Sequence, residues 1–190
     1  MRYEPNFPVA DLIPALWNPR GAIDDASLAD LVGNVTVHGV LSPILARPID
    51  DTRVEIIAGH RRHRAAQLAG LQTVPVNIAD ATDEEARTLA ITENLQRADL
   101  HPLDEAKGFA ELAGRGMPVA TLAGRVGKPV AYVAGRMALM NLAPQAATFF
   151  RRGVISLGHA RVLAAMQASD QDAAAKFLVP VCSNSAANAA

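Results

Sequence analysis

Apolar and polar positions change their period along this chain, and the changes mark its elements. From Ile23 to His38, Leu28, Leu31, Val32 and Val35 recur at three- and four-residue steps, the repeat of one helical face. Gly39 follows as a helix stop. Val40 to Arg47 (VLSPILAR) reads as a strand in which Pro43 marks an edge or a bulge. Asp50-Asp51 signals a turn and Val54 to Ala58 (VEIIA) a second strand. Gly59 breaks that run, His60 to Ala69 reads as a helix closed by Gly70, and Val74 to Ile78 is a third strand. Thr82 and Glu85 have capping-box spacing, in which each side chain accepts from the other's free backbone N–H. That helix runs to about Gln96.

Beyond residue 100 only helical signals appear. Pro102 suits a first helical position, with Asp104 and Glu105 near the positive helix end, and the helix stops at Gly114 to Gly116. Pro118 to Val126 is a short helix stopped by Gly127, and Pro129 opens another that runs to Asn141. Pro144 to Arg152 ends at Gly153, Ser156 caps a helix through Met166, and Asp170 caps a last one through Val179. The closing CSNSAANAA is small and polar, which predicts disorder.

Composition narrows the class. The chain has 190 residues, half of them apolar, enough for one large domain or two small ones. Its 18 bases and 19 acids give a net charge of −1, which excludes a uniformly basic nucleic-acid coat and a highly charged disordered chain. The single Cys182 allows no intramolecular disulfide and no Cys-built zinc site. No apolar run reaches the roughly 18 residues of a membrane helix, and the first residues carry no charged-then-apolar signal. A reducing, cytoplasmic setting with no membrane partner is the expectation. The charge is unevenly spread: Met1 to Gly108 sums to −6, whereas Phe109 to Ala168 sums to +6 with Glu111 its only acid. The second stretch is either a polyanion binder or a solvated basic face.

Three segments carry candidate chemistry. In Gly59-His60-Arg61-Arg62-His63-Arg64 a strand passes through glycine into a helix start, where free N–H groups and the dipole attract anions. Arginines at that end are repelled by the dipole, so three of them suggest a phosphorylated ligand; an exposed basic turn is the alternative. Glu93-Asn94 offers hard oxygens of the sort Mg²⁺ takes beside phosphates, with Arg97 in reach of a phosphate; solvated surface is the alternative. Val119 to Met137 fits a helix-turn-helix turning at Gly127, with Leu122, Ala123, Val126, Val130 and Val133 as its seam. Lys128, Ala131, Tyr132 and Arg136 would then face a major groove; a plain helical hairpin is the alternative. His60 and His63 lie three apart, but no third ligand at fixed spacing completes a zinc site. His159 is either a packing residue or a phosphate contact.

These segments together resemble the ParB family of chromosome and plasmid partition proteins, over about Leu12 to Leu178. Gly59 to Ala65 is similar to the family's GERRxRA box, and Glu93 to Pro102 to its ENLQRxDLNP box. Asn18-Pro19-Arg20 stands for QPR, Gly39 to Ile44 for GVxQPI, and Gly158-His159-Ala160 for GHA. The resemblance implies an α+β chain. Residues 1–100 would be a small mixed α/β, sulfiredoxin-like nucleotide-binding domain, 101–180 an all-α helix-turn-helix domain, and 181–190 a disordered tail. It implies CTP and Mg²⁺ as cofactors. Arg20, Gly59, His60, Arg61, Arg62, Arg64 and Arg97 would surround the nucleotide, Ser42, Ile44 and Arg47 would face its base, and Glu93 and Asn94 would hold the metal. Arg125, Lys128, Tyr132, Arg136, Arg151, Arg152, His159 and Arg161 would contact a palindromic, centromere-like duplex. It further implies a nucleotide-gated homodimer that clamps DNA, slow hydrolysis of CTP to CDP and phosphate, a ParA-type ATPase as partner, and residence on a nucleoid or plasmid. A ParB-like repressor, or a nuclease or kinase on the same fold, are the rival functions. His60 stands where the family has Glu, Asn18 where it has Gln, and Pro129 where Ser often follows Gly-Lys. The family's C-terminal dimerisation domain has no counterpart in this sequence.

Overall fold

The computed structural model describes residues 1–15, 17, 24–97 and 99–187, with side chains to residue 178. The chain divides into two compact units, Met1–Ala90 and Ile91–Ala190. The first is built on a five-stranded mixed sheet of β1 (Arg2–Pro8), β2 (Leu12–Pro14), β3 (Ile44–Pro48), β4 (Val54–Ala58) and β5 (Thr73–Ile78). The spatial order is β1-β5-β3-β4-β2. β1 runs antiparallel to β5 and β4 antiparallel to β3, while β3–β5 and β2–β4 are parallel pairs. Period-two alternation puts Ile44, Ala46, Val74, Val76 and Ile78 inside. There they pack with Ile56, with Val35 of α1 (Ala29–His38), and with Ala65 and Ala66 of α2 (His60–Leu68). Each fully buried Ile or Val in this set contributes about 1.5–3 kcal/mol of burial free energy.

The sequence reading departs from this unit in three places. β1 and β2 went unpredicted, because β1 is mostly exposed and shows no alternation, and prolines punctuate both. The strand expected from Val40 begins only at Ile44: Pro43 has no N–H to give a ladder, and the Ser42 and Pro43 carbonyls are taken by Arg62. The helix expected from Ile23 is a 3₁₀ turn at Asp25–Leu28 followed by α1, and Ile23 lies outside the described residues. The capping box at the head of α3 (Asp83–Leu95) is present, with Thr82 N–H donating to Glu85 at 2.9 Å.

The second unit is helical: α4 (Pro102–Gly114), α5 (Val119–Val126), α6 (Val130–Met137), α7 (Pro144–Arg151), α8 (Leu157–Ala164) and α9 (Ala168–Ala187). Leu95, Phe109, Leu112, Leu122, Ala123 and Val133 form one core. Leu103, Ala106, Leu139, Ala146, Phe150, Ile155 and Leu163 form a second. The helix expected to run from Pro129 to Asn141 tightens to 3₁₀ at Ala138. α9 begins two residues before Asp170 and continues past Val179, so residues 181–187 have helical backbone where disorder was expected; 188–190 lie outside the described residues. No helix among the described residues is long and apolar enough to cross a membrane.

Candidate anion-binding and nucleic-acid interfaces

In the first unit, β4 turns into α2 through Gly59, whose φ of +103° only glycine adopts cheaply. A Cβ there would also stand 3.2 Å from the Arg62 guanidinium. The first intrahelical bond of α2 runs from His63 N–H to the Gly59 carbonyl at 3.0 Å. The N–H groups ahead of it lie at the positive helix end, where an anion would meet them.

The three arginines of this turn are engaged with the chain. Arg61 donates to the Ser27 carbonyl at 3.0 Å, and Arg62 to the Ser42 carbonyl at 2.6 Å and to that of Pro43. Arg64 grips Asp25 through two nitrogens, which holds the Asp25 carboxyl below its usual range and raises Arg64. The repulsion expected from the helix dipole is thus offset by protein oxygens of the 24–28 and 42–43 segments. Arg47 is likewise bound, to Glu55 at 2.6 Å and to Asp83. Ile44 is fully buried. Ser42 is exposed, and Arg20 lies outside the described residues.

His60 Nε2 is buried without a partner among the described residues, and burial first, then the neighbouring His63, lowers the His60 pKa. His63 is 3% exposed with Nε2 3.3 Å from the Val9 carbonyl, and burial again pushes its pKa down. Among the described residues no three His, Cys, Asp or Glu side chains gather as a metal site.

Glu93, Asn94 and Arg97 belong to the second unit. Glu93 is exposed and Asn94 half-buried on the last turn of α3. Successive helical residues project about 100° apart, so the pair offers one outward carboxylate and one amide oxygen rather than a closed cage. That suits Mg²⁺, which takes its remaining oxygens from phosphate and water. Arg97 is paired with Asp99 at 2.8 Å, which lowers the Asp99 pKa.

The turn between α5 and α6 is made by Gly127 at φ +64°, with Lys128 N–H returning to the Ala123 carbonyl at 3.0 Å. Leu122, Ala123 and Val133 fill the seam as expected. Val130 does not: it opens α6 on the outer side and is 51% exposed. Arg125, Arg152 and Arg161 are exposed, and no side-chain hydrogen bond or ion pair engages them among the described residues. Arg161 reaches α6, its Nη2 3.8 Å from where a Cβ on Gly135 would lie. Arg151 is shared with Asp104 at 2.8 Å, and that pairing lowers the Asp104 pKa. His159 completes a capping box with Ser156 at the head of α8.

Tyr132 and Arg136 face inward, not toward a groove. The Tyr132 hydroxyl lies 2.8 and 3.0 Å from the two Glu105 oxygens, and Arg136 Nε pairs with the same carboxylate. The Arg136 guanidinium also lies over the Tyr132 ring at 4.7 Å. In this structure both side chains are engaged by Glu105, a buried acid. Sequence reasoning missed Glu105 because it read the acid as a dipole partner. Its spacing to Phe109 and Leu112, four and seven residues on, was the signal that it sits on the apolar stripe of α4.

Comparison with known proteins follows the same division. Residues 5–95 match the ParB N-terminal domain and residues 98–181 the ParB HTH domain. The chromosome-partitioning protein Spo0J of Thermus thermophilus is 42% identical over 165 residues, covering 87% of this chain and 61% of that protein. The stage 0 sporulation protein J of Bacillus subtilis is 38% identical over 156 residues, covering 82% of this chain and 55% of that protein. The chain therefore spans about 60% of the length of the first of these relatives. Among solved structures, the C-terminally truncated chromosome-partitioning protein ParB from Caulobacter crescentus, complexed to the centromeric parS site, matches with a TM-score of 0.77 and 34% identity. That match covers 95% of this chain and 92% of the other.

Proposed function

The chain belongs to the ParB family, and on that premise we propose that it is a partition protein that binds double-stranded DNA at a palindromic, centromere-like site under the control of CTP. The observation that carries the DNA half is the helix-turn-helix with Arg125 on its first helix and Arg161 reaching its second, exposed cations with no partner among the described residues. Arginines so placed lie where phosphates run beside a helix in the major groove. Residues 101–180 are the DNA half of this reading and 1–100 the nucleotide half.

The nucleotide half rests on the start of α2. Its leading N–H groups receive the phosphates, and Gly59 allows the close approach. Arg61, Arg62 and Arg64 act by shaping the 24–28 and 42–43 segments around the ligand, and can exchange a carbonyl or carboxylate for a phosphate. Glu93 and Asn94 would hold Mg²⁺, which would neutralise phosphate charge, and Arg97, paired with Asp99 in this structure, would assist at the phosphates. Nucleotide binding closes two protomers around DNA, slow hydrolysis to CDP reopens them, and a ParA-type ATPase is the partner.

Calorimetric titration with CTP, ATP, GTP and UTP, each with Mg²⁺ and with a parS or a scrambled duplex, tests both halves. The expected result is CTP-selective binding and a preference for the parS duplex. Arg62→Ala should abolish nucleotide binding and spare the initial DNA contact. Equal affinity for all four nucleotides, or none, would sink the nucleotide half alone.

A further inference from the structure

α6 is the second helix of the helix-turn-helix, the one whose first residues meet base edges in such motifs. Tyr132 and Arg136 are the residues on it able to donate to a base. Both are turned to Glu105, with Arg136 and Glu105 side chains only 11% and 10% exposed. Freeing Arg136 would leave a buried carboxylate without its cation, so the two stay sequestered. The residues α6 keeps in solvent are Val130, 51% exposed, with Ala131 and Ala134. All three end in methyl groups and can neither donate to nor accept from a base. In the major groove the base edge that offers an apolar partner is that of thymine, through its C5 methyl.

We propose that α6 reads its DNA site by methyl contact, with Val130, Ala131 and Ala134 as specificity-determining residues for thymine and Glu105 as the positioning residue that withholds Arg136. Lys128 in the turn before α6, Arg125 in the last turn of α5 and Arg161, which reaches α6 at Gly135, then supply phosphate contacts and register. The site accordingly carries thymines where α6 enters the groove, rather than the guanines that a free arginine would choose. The inference rests on the DNA-binding reading above.

The test begins with duplexes selected by the full chain from a randomised library. Each thymine of the selected site is then replaced in turn by uracil, which keeps every hydrogen-bonding group and lacks only the methyl. The expected result is a loss of roughly fourfold per contacted methyl at one or more positions of each half-site. Val130→Ala should weaken the thymine duplex and abolish the uracil effect at one of those positions. Unchanged affinity with uracil at every position would overturn the proposal without any protein variant. So would Arg136→Lys relaxing a guanine preference while Val130→Ala has no effect. Selection that yields no preferred sequence would overturn the DNA reading itself, and this proposal with it.

Discussion

Glu105 shows how one side chain can decide both the stability of a domain and what that domain presents to a ligand. Arg136 Nη1 is buried without a partner among the described residues, so its pairing through Nε carries the compensation for the buried charge. Glu105→Ala removes that anion and strands the guanidinium; we expect a loss of about 3–5 kcal/mol in urea unfolding. Glu105→Gln, which keeps an acceptor for Tyr132, should cost less. A fall under 1 kcal/mol for Glu105→Ala would mean that water enters and solvates Arg136. Gly59 is the second such position. Gly59→Ala forces a left-handed conformation on a residue with a Cβ and pushes that Cβ at Arg62, so a loss of about 1–3 kcal/mol is expected, read by thermal melting. Of these two residues only Gly59 was legible. A glycine between a strand pattern and a helix pattern declares itself, whereas the partner of a buried acid depends on how two helices cross.

At the scale of elements, α2 makes the first unit sensitive to mild acid. His60 and His63 both titrate below 6.5 in the folded chain, because burial opposes the charged ring. The unfolded chain therefore takes up protons first as pH falls through 6.5. Stability is full above that value and drains below it, so the melting temperature should fall between pH 7 and 5. His63→Gln should flatten that slope; an equal slope would assign it to other groups. At the head of α8, Ser156→Ala should cost about 1 kcal/mol in denaturant unfolding by exposing the His159 N–H. Caps of this kind were readable, as was the helix from Thr82, because their logic is local. The strands β1 and β2 were not. β1 is a largely exposed edge strand whose pairing with β5, some seventy residues on, leaves no period in its own residues. Val130 failed for a related reason: its apolar character fits the seam, but it is the first residue of α6 and stays exposed while Val133 is the residue buried there.

At the scale of the whole molecule, charge separates function from scaffold. Among the described residues most arginines of the first unit are tied to carboxylates or carbonyls, whereas Arg125, Arg152 and Arg161 of the second are not. Replacing each of these three by Ala should lower the slope of log affinity for a duplex against log salt by about 1. Arg151→Ala, already shared with Asp104, should lower it less. Equal slopes for all four would show that the Asp104 pair opens on DNA.

The strand order has one more effect, on how copies of this chain can meet. The outer strands are β1, which carries Pro5 and Pro8 and bulges between Glu4 and Phe7, and β2, three residues ending at Pro14. Neither offers the unbroken row of backbone donors that a foreign strand needs to zip on. When many copies crowd together, edge-to-edge pairing through the first unit is disfavoured at both borders. Copies that meet through this unit are thereby steered away from the edge-to-edge strand pairing that is hard to reverse.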